Sequence, residues 1–225
     1  MTNLVERISS AALGIAALAI AGVFVHREFF GTPSREILRH ESGRVAEWRE
    51  TLAAGRVIGD PEAPLKLIEF ADLECPFCRQ FYLTTRSILA RYPQNVAVVL
   101  VYTPVAGHRF AEAAARAAEC AQFQGRFESF VDRVFERQDS IGLKSWVSFG
   151  RDAGISDTLR FSRCVAANQT TTVMTQGAAL AKKLRIDGTP TILLNDWRFG
   201  SPPSRSELEA AIDSLLKRKG SDRDE

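Results

Sequence analysis

Two cysteines one helical turn apart carry the chemistry of this chain. Glu69-Phe70-Ala71-Asp72-Leu73-Glu74-Cys75-Pro76-Phe77-Cys78 reads as a buried strand running into the first turn of a helix. Cys75 falls at the N-cap, and Pro76 at the first helical position, where its missing N–H and fixed φ cost nothing. The unpaired N–H groups and partial positive charge of that turn favour a thiolate at Cys75 and lower its pKa. Cys78, three residues on, faces the same side and can close a disulfide on it. The pattern is that of a redox pair, with Cys75 as the attacking sulfur and Cys78 as the resolving one. A C-x-x-C is also half of a zinc site. No second cysteine pair or nearby histidine supplies the other ligands, so neither a metal nor a cofactor is expected.

A second stretch bears on the same chemistry. Arg185-Ile186-Asp187-Gly188-Thr189-Pro190 is a turn signal feeding the apolar run Thr191-Ile192-Leu193-Leu194-Asn195. Proline at the mouth of a strand removes a ladder donor, and its position makes sense if the Thr189-Pro190 bond is cis and tightly held. The other two cysteines lie on apolar helix faces, Cys120 after Ala113 and Ala117, Cys164 three residues after Phe161. Both point inward, either as buried free thiols or as a bridge, and four cysteines allow three connectivities. His108 opens a helix and reads as a surface group that nothing places near Cys75. Phe123, Phe127, Phe130 and Phe135 read as core.

These residues need elements to hold them. Leu65 to Ala71 reads as a strand, followed by the cysteine helix to about Arg91, and Val96 to Val101 is a continuous apolar run of the kind covered on both faces. Residues 105–184 read as helical, with apolar faces at Phe110, Ala113, Ala114, Ala117 and Ala121 and again at Phe127, Phe130, Val131, Val134 and Phe135. Toward the amino end, Ile8 to Val25 is an uncharged run of 18 residues. As a helix it would reach about 27 Å, just short of a hydrocarbon core of about 30 Å. It reads as an uncleaved anchor, or as a signal peptide cleaved near Ala19-Ile20-Ala21, and either places the rest outside the cytoplasm, where disulfides persist. Ser34 is positioned to cap a connecting helix from Arg35 to Ala54, with Leu38, Val45, Trp48 and Leu52 on one face. A charged tail over 218–225 reads as disordered. The 29 Lys and Arg against 27 acidic residues leave a net charge of +2 with no basic stripe, which argues against a nucleic-acid partner.

Cys-Pro-Phe-Cys after a strand, followed much later by Gly188-Thr189-Pro190-Thr191 before another, resembles the thioredoxin-fold thiol:disulfide oxidoreductases of the DsbA type. The likeness covers roughly residues 57 to 216. It implies an α/β thioredoxin fold over 57–104 and 185–217, interrupted by an inserted helical domain over 105–184 and preceded by the anchor or signal helix of 1–30 and the helical linker of 31–56. It implies that Thr189 and Pro190 form a cis-proline loop that packs on the cysteines and pairs with substrate. It makes Glu69 a buried acid that assists proton transfer, the alternative being an exposed carboxylate at a strand edge. It also implies a structural disulfide between Cys120 and Cys164. The function so implied is that of an exported enzyme exchanging disulfides with unfolded or reduced exported proteins, foremost as an oxidant, and reoxidised by a quinone-linked membrane partner of the DsbB or vitamin-K-epoxide-reductase type. A reductase, an isomerase, or a peptide- or metal-binding module without catalysis are the alternatives. The strongest oxidants of that family carry a histidine between the cysteines. Pro76-Phe77 lacks it, and a less oxidising protein is expected.

Overall fold

Strands with no polar face must be covered on both sides, and the two continuous apolar runs accordingly form the middle of the sheet. The computed structural model describes residues 42–221. Among them six strands make one sheet: β1 Gly43–Arg44, β2 Arg56–Ile58, β3 Leu65–Ala71, β4 Val96–Tyr102, β5 Thr191–Leu194 and β6 Trp197–Arg198, in the order β1-β6-β5-β3-β4-β2. β3 and β4 run parallel in the register Leu67 to Val98, and β5 lies antiparallel to β3 with Phe70 opposite Thr191. The helices are α1 Thr51–Ala54, α2 Pro76–Arg91, α3 Ala111–Gln122, α4 Phe127–Glu136, α5 Trp146–Asp152, α6 Thr158–Ala166, α7 Thr172–Lys183 and α8 Arg205–Ser221.

The period of two along the strands sorts side chains to the two faces. Leu65, Leu67, Val98, Leu100 and Leu194 join one core with Ile88 of α2 and Leu208 and Ile212 of α8. Ile68, Phe70, Val99, Val101 and Leu193 join the other with Ala54 of α1 and Leu180 and Ala181 of α7. Each such side chain, fully buried, contributes about 1.5–3 kcal/mol. Helix α7 comes very close to the sheet, because a Cβ on Gly177 would stand 3.2 Å from the carbonyl oxygens of Ala54 and Tyr102. The end of the expected insertion, 105–184, is therefore packed on the sheet itself.

Helices α3 to α6 extend the first core with aromatic rings, Phe130 and Phe161 lying 5.7 Å apart and Trp146 and Phe149 5.5 Å apart, and the Tyr82–Phe135 stack at 5.2 Å joins them to α2. Two devices tie this group down. Buried Glu119 accepts from Arg56 Nε at 2.8 Å and a second Arg56 nitrogen at 2.6 Å, from the Tyr102 hydroxyl at 3.0 Å and from the Thr171 hydroxyl at 3.0 Å, so strand, sheet and helix meet on one carboxylate. The second device is a bond between Cys120 of α3 and Cys164 of α6, at an S–S distance of 2.00 Å.

Three expectations about the fold need correction. Phe123, expected in the core, is 58% exposed just after α3. The helix foreseen over Arg35–Ala54 is not one continuous helix in its described part, where a short strand precedes the 3₁₀ turn Ala46–Glu50 and α1. Glycine weakens a helix interior, and Gly43 and Arg44 instead extend the sheet beside Trp197 and Arg198, held by the Arg44–Asp196 ion pair and by Val45 N donating to the Asp196 carbonyl at 2.7 Å. A 3₁₀ turn over Ala46–Glu50 then leads into α1, and Val45 and Trp48 pack on the second core while Leu52 is 38% exposed. Only Gly43–Arg44 belongs to the sheet, and the helical residues that follow pack on the second core instead of forming a free linker. The tail foreseen as disordered from 218 is helical as far as Ser221, since Lys and Arg are good helix formers and suit the negative end of the helix dipole. The anchor or signal segment within 1–30 lies outside the described residues, and among those described no helix is long and apolar enough to cross a membrane.

Cys120 and Cys164 are 44 positions apart, and closing a loop of that length restricts the unfolded chain by about 4 kcal/mol. Replacing both with alanine should lower the free energy of unfolding in urea by about that amount, while thiol exchange at Cys75 persists.

Candidate active site

The site begins where β3 ends. Its last residues leave the sheet, and Cys75 takes extended angles of φ −72° and ψ 123° immediately before Pro76 starts α2. Burial of Cys78, Phe81, Tyr82, Thr85, Ile88 and Leu89 fixes the helix on the sheet and turns its first N–H groups toward Cys75. Cys75 is only 4% exposed and Cys78 not at all, and both are free thiols here. Burial would raise the Cys75 pKa, yet it is lowered to about 5. The largest cause is a hydrogen bond from the Cys78 thiol, joined by Thr189 and by the backbone N–H groups of Cys78 and Phe77. Cys78 goes the other way, well above its ordinary value, first through burial and then because it is the donor to Cys75. One sulfur is thus an anion at neutral pH and its neighbour a proton-bearing thiol.

The loop foreseen as a cis-proline loop lies against this pair. The Thr189-Pro190 peptide bond is cis, and in its neutral form the Cys75 thiol donates to the Thr189 carbonyl at 3.4 Å. A thiolate cannot donate. The Thr189 hydroxyl is buried without a hydrogen-bond partner, and the Thr189 side chain acts to lower the Cys75 pKa. Beneath the pair, on the α2 side of β3, Glu69 is 2% exposed, so the alternative of an exposed edge carboxylate is excluded. Its pKa is raised to about 8, foremost by burial and further by the charge on Cys75, against a weak contact from the Thr85 hydroxyl at 3.4 Å. Its Oε1 has no hydrogen-bond partner. Phe77, between the cysteines, is 61% exposed.

A family model described as thioredoxin matches residues 51–214. This chain belongs to that thioredoxin family, and its fold is DsbA-like. A thioredoxin-like oxidoreductase from Silicibacter pomeroyi DSS-3 is 27% identical and superposes with a TM-score of 0.63, covering 77% of this chain and 98% of that one. DsbA of Chlamydia trachomatis, 18% identical, superposes with a TM-score of 0.60 over 73% of this chain and 91% of its own. The Na(+)/H(+) antiporter NhaA 3 of Salinispora tropica is 31% identical over 161 residues, which are 71% of this chain and 24% of the antiporter. The chain spans about a quarter of the length of the curated relatives it matches, and ion exchange is a property of those longer proteins.

Within this thioredoxin-family site, the structure brings Cys75, Cys78, Thr189, Pro190 and Glu69 together and leaves Cys120 and Cys164 in the helical insertion. It also adds residues that sequence reasoning missed. Gln138, after α4, donates its Nε2 to the carbonyls of Leu73 at 2.9 Å and Cys75 at 3.0 Å. Nothing in the sequence marks it. Asp72 lies inside the cysteine motif and is fully buried, and its carboxylate accepts from Glu74 N at 2.8 Å and Val105 N at 2.9 Å. A carboxylate closing an apolar strand was the available signal. His108 needs correction: it is no isolated surface group, because its Nδ1 lies 2.7 Å from Asp72 Oδ2.

The titrations have opposite signs for stability. Cys75 is ionised in the folded reduced protein from about pH 5, and in the unfolded chain only near the ordinary value of 9.0. The reduced form should therefore gain stability over the oxidised form as pH rises from about 5 toward 9, measured by paired urea titrations. Glu69 holds its proton up to about pH 8 when folded and 4.5 when unfolded, so its burial destabilises increasingly across that interval. Glu69→Gln should flatten this part of the stability profile, and an unchanged profile would show that Glu69 is not the buried acid responsible.

Proposed function

We propose that this chain is an extracytoplasmic thiol:disulfide oxidoreductase that exchanges disulfides with exported proteins through Cys75 and Cys78, acting foremost as a disulfide-forming oxidant. The observation that carries this reading is the divided pair of sulfurs: Cys75 ionised at the start of α2, facing Thr189 and Pro190, and Cys78 protonated behind it. A stable thiolate in the reduced form favours accepting electrons over giving them.

In the oxidised enzyme a substrate thiolate attacks Cys75 Sγ, the Cys75–Cys78 bond breaks, and its electron pair leaves on Cys78. Glu69, which still holds its proton near neutral pH and lies in electrostatic contact with Cys78, supplies the proton that makes Cys78 a thiol and is then reprotonated from solvent. A second substrate thiolate attacks the substrate sulfur of the mixed disulfide and expels Cys75 as a thiolate. The substrate has lost two electrons and the enzyme has gained them. The backbone beside Pro190 offers the substrate peptide a strand edge, and exposed Phe77 offers it an apolar contact. Reoxidation falls to a quinone-linked membrane partner of the DsbB or vitamin-K-epoxide-reductase type, with the segment within 1–30 as the anchor or export signal.

Cys78→Ser, expressed in the native envelope, should accumulate mixed disulfides with exported proteins at Cys75, and Cys75→Ser should accumulate none. A Cys78→Ser protein that traps nothing would leave a binding module as the better reading. The resting state of the wild-type pair separates the remaining roles, since an oxidant rests as the disulfide and a reductase as the dithiol.

A further inference from the structure

The cysteine motif lacks a cation between its sulfurs, but the fold brings one in from 33 residues downstream. His108 follows β4 on the segment that leads into the helical insertion, and its imidazole is 28% exposed. Its Nδ1 stands 2.7 Å from Oδ2 of Asp72, whose side chain has no exposure at all. Asp72 is bound directly into the redox segment: its carbonyl accepts from Cys75 N at 3.1 Å and its carboxylate from Glu74 N at 2.8 Å. Val105 N at 2.9 Å completes the anchor from the histidine side. Glu74, in turn, accepts from Phe110 N at 2.6 Å, so the loop around His108 is fastened at two points to the residues just before Cys75.

We propose that His108 is an electrostatic positioning residue of the redox site: held by buried Asp72, its imidazolium stabilises the Cys75 thiolate and couples reduction of the Cys75–Cys78 disulfide to proton uptake.

The charges around it agree. Burial lowers the His108 pKa, but the hydrogen bond and charge of Asp72, then the charges of Cys75 and Glu74, outweigh it and the net shift is upward. The interaction of His108 with the Cys75 charge is reciprocal, so each ionised group favours the other. Among the described residues, further titratable groups lie on α2, on β3 and beside His108, and Asp187 of the loop before Pro190 acts on Arg198. On α2, Arg79 binds both carboxylate oxygens of Asp139 at 2.9 Å. Arg109 lies over the Phe110 ring at 5.3 Å. On β3, Glu69 keeps its proton to about pH 8, and Cys78 remains a thiol. Of the two carboxyl groups just before Cys75, His108 meets Asp72 directly.

The coupling balances as follows. Two glutathione thiols give up two electrons and two protons on forming their disulfide, the Cys75–Cys78 bond breaks, one proton goes to Cys78, and Cys75 stays a thiolate. The remaining proton goes to solvent, or in part to His108 over the interval where the thiolate has raised its affinity.

The inference rests on the redox reading of Cys75, and the test separates the two. Wild type, His108→Gln and His108→Lys are equilibrated with glutathione from about pH 6 to about pH 9, and Cys75 is titrated by the ultraviolet absorbance of its thiolate. At the acid end, His108→Gln should lower the equilibrium constant for reduction about two- to fivefold, as expected for a partly exposed charge pair, and raise the Cys75 midpoint. The difference should fade as pH rises through the His108 pKa. His108→Lys keeps a cation at every pH, and should retain the wild-type pull at the acid end and extend it to the alkaline end. A purely structural role would shift unfolding without moving either profile. If wild type exchanges with glutathione and both variants follow its profile, or if His108→Gln does not fold and His108→Lys keeps the wild-type pH dependence, the proposal is overturned and the redox reading stands. If wild type does not exchange and Cys75 titrates as an ordinary thiol, both fall.

Discussion

A charge held on sulfur in a nearly dry site is the constraint around which the molecule is arranged. Desolvation alone would keep Cys75 protonated, and it is overcome by short-range donors: the Cys78 thiol and the first N–H groups of α2. Those donors act only if the helix starts where it does. Pro76 starts it locally, but its direction is set by burial of the α2 face against the sheet, and the sulfur is met by Thr189 on the loop that leads into β5. Strand end, helix start and returning loop must coincide, and the antiparallel pairing of β5 with β3 brings the last of these into place.

Among the described residues the fold buries three carboxyl groups, Glu119, Asp72 and Glu69, and treats each differently. Glu119 receives a two-pronged guanidinium and two hydroxyls, and ties the insertion to the sheet. Asp72 receives two backbone N–H groups and an imidazole, and ties the cysteine segment to the loop after β4. Glu69 receives one weak hydroxyl contact and is left with a bare oxygen. A buried charge with so little compensation is costly, and it responds by keeping its proton. The two well-bonded carboxylates hold parts of the chain together. The poorly bonded one keeps its proton to about pH 8.

The helical insertion does more than fill a long crossover. Its near edge supplies Gln138 to the carbonyls of Leu73 and Cys75, and Phe110 N to Glu74. The segment from Leu73 to Cys75 is thereby held at three points by the insertion. A peptide so constrained presents its sulfur in one geometry, which lowers the cost of ordering when a substrate sulfur approaches.

The sequence by itself determined what depends on neighbours within a turn or a pleat: the cysteine spacing, Pro76 at the helix start, the strand over Leu65–Ala71, the two-sided burial of the run from Val96 to Val101, and the proline at the mouth of β5. It misjudged Gly43 and Arg44, whose strand exists only because an edge of the sheet waits for them. It could not assign His108, because Asp72 and His108 are 36 positions apart and meet only when β3 and β4 run side by side and end at the same level. Gln138 and the four donors around Glu119 were hidden for the same reason. Local patterns encode which way a residue faces along its own element. Which charge lies opposite it is decided by strand register and helix docking, and those are properties of the assembled chain.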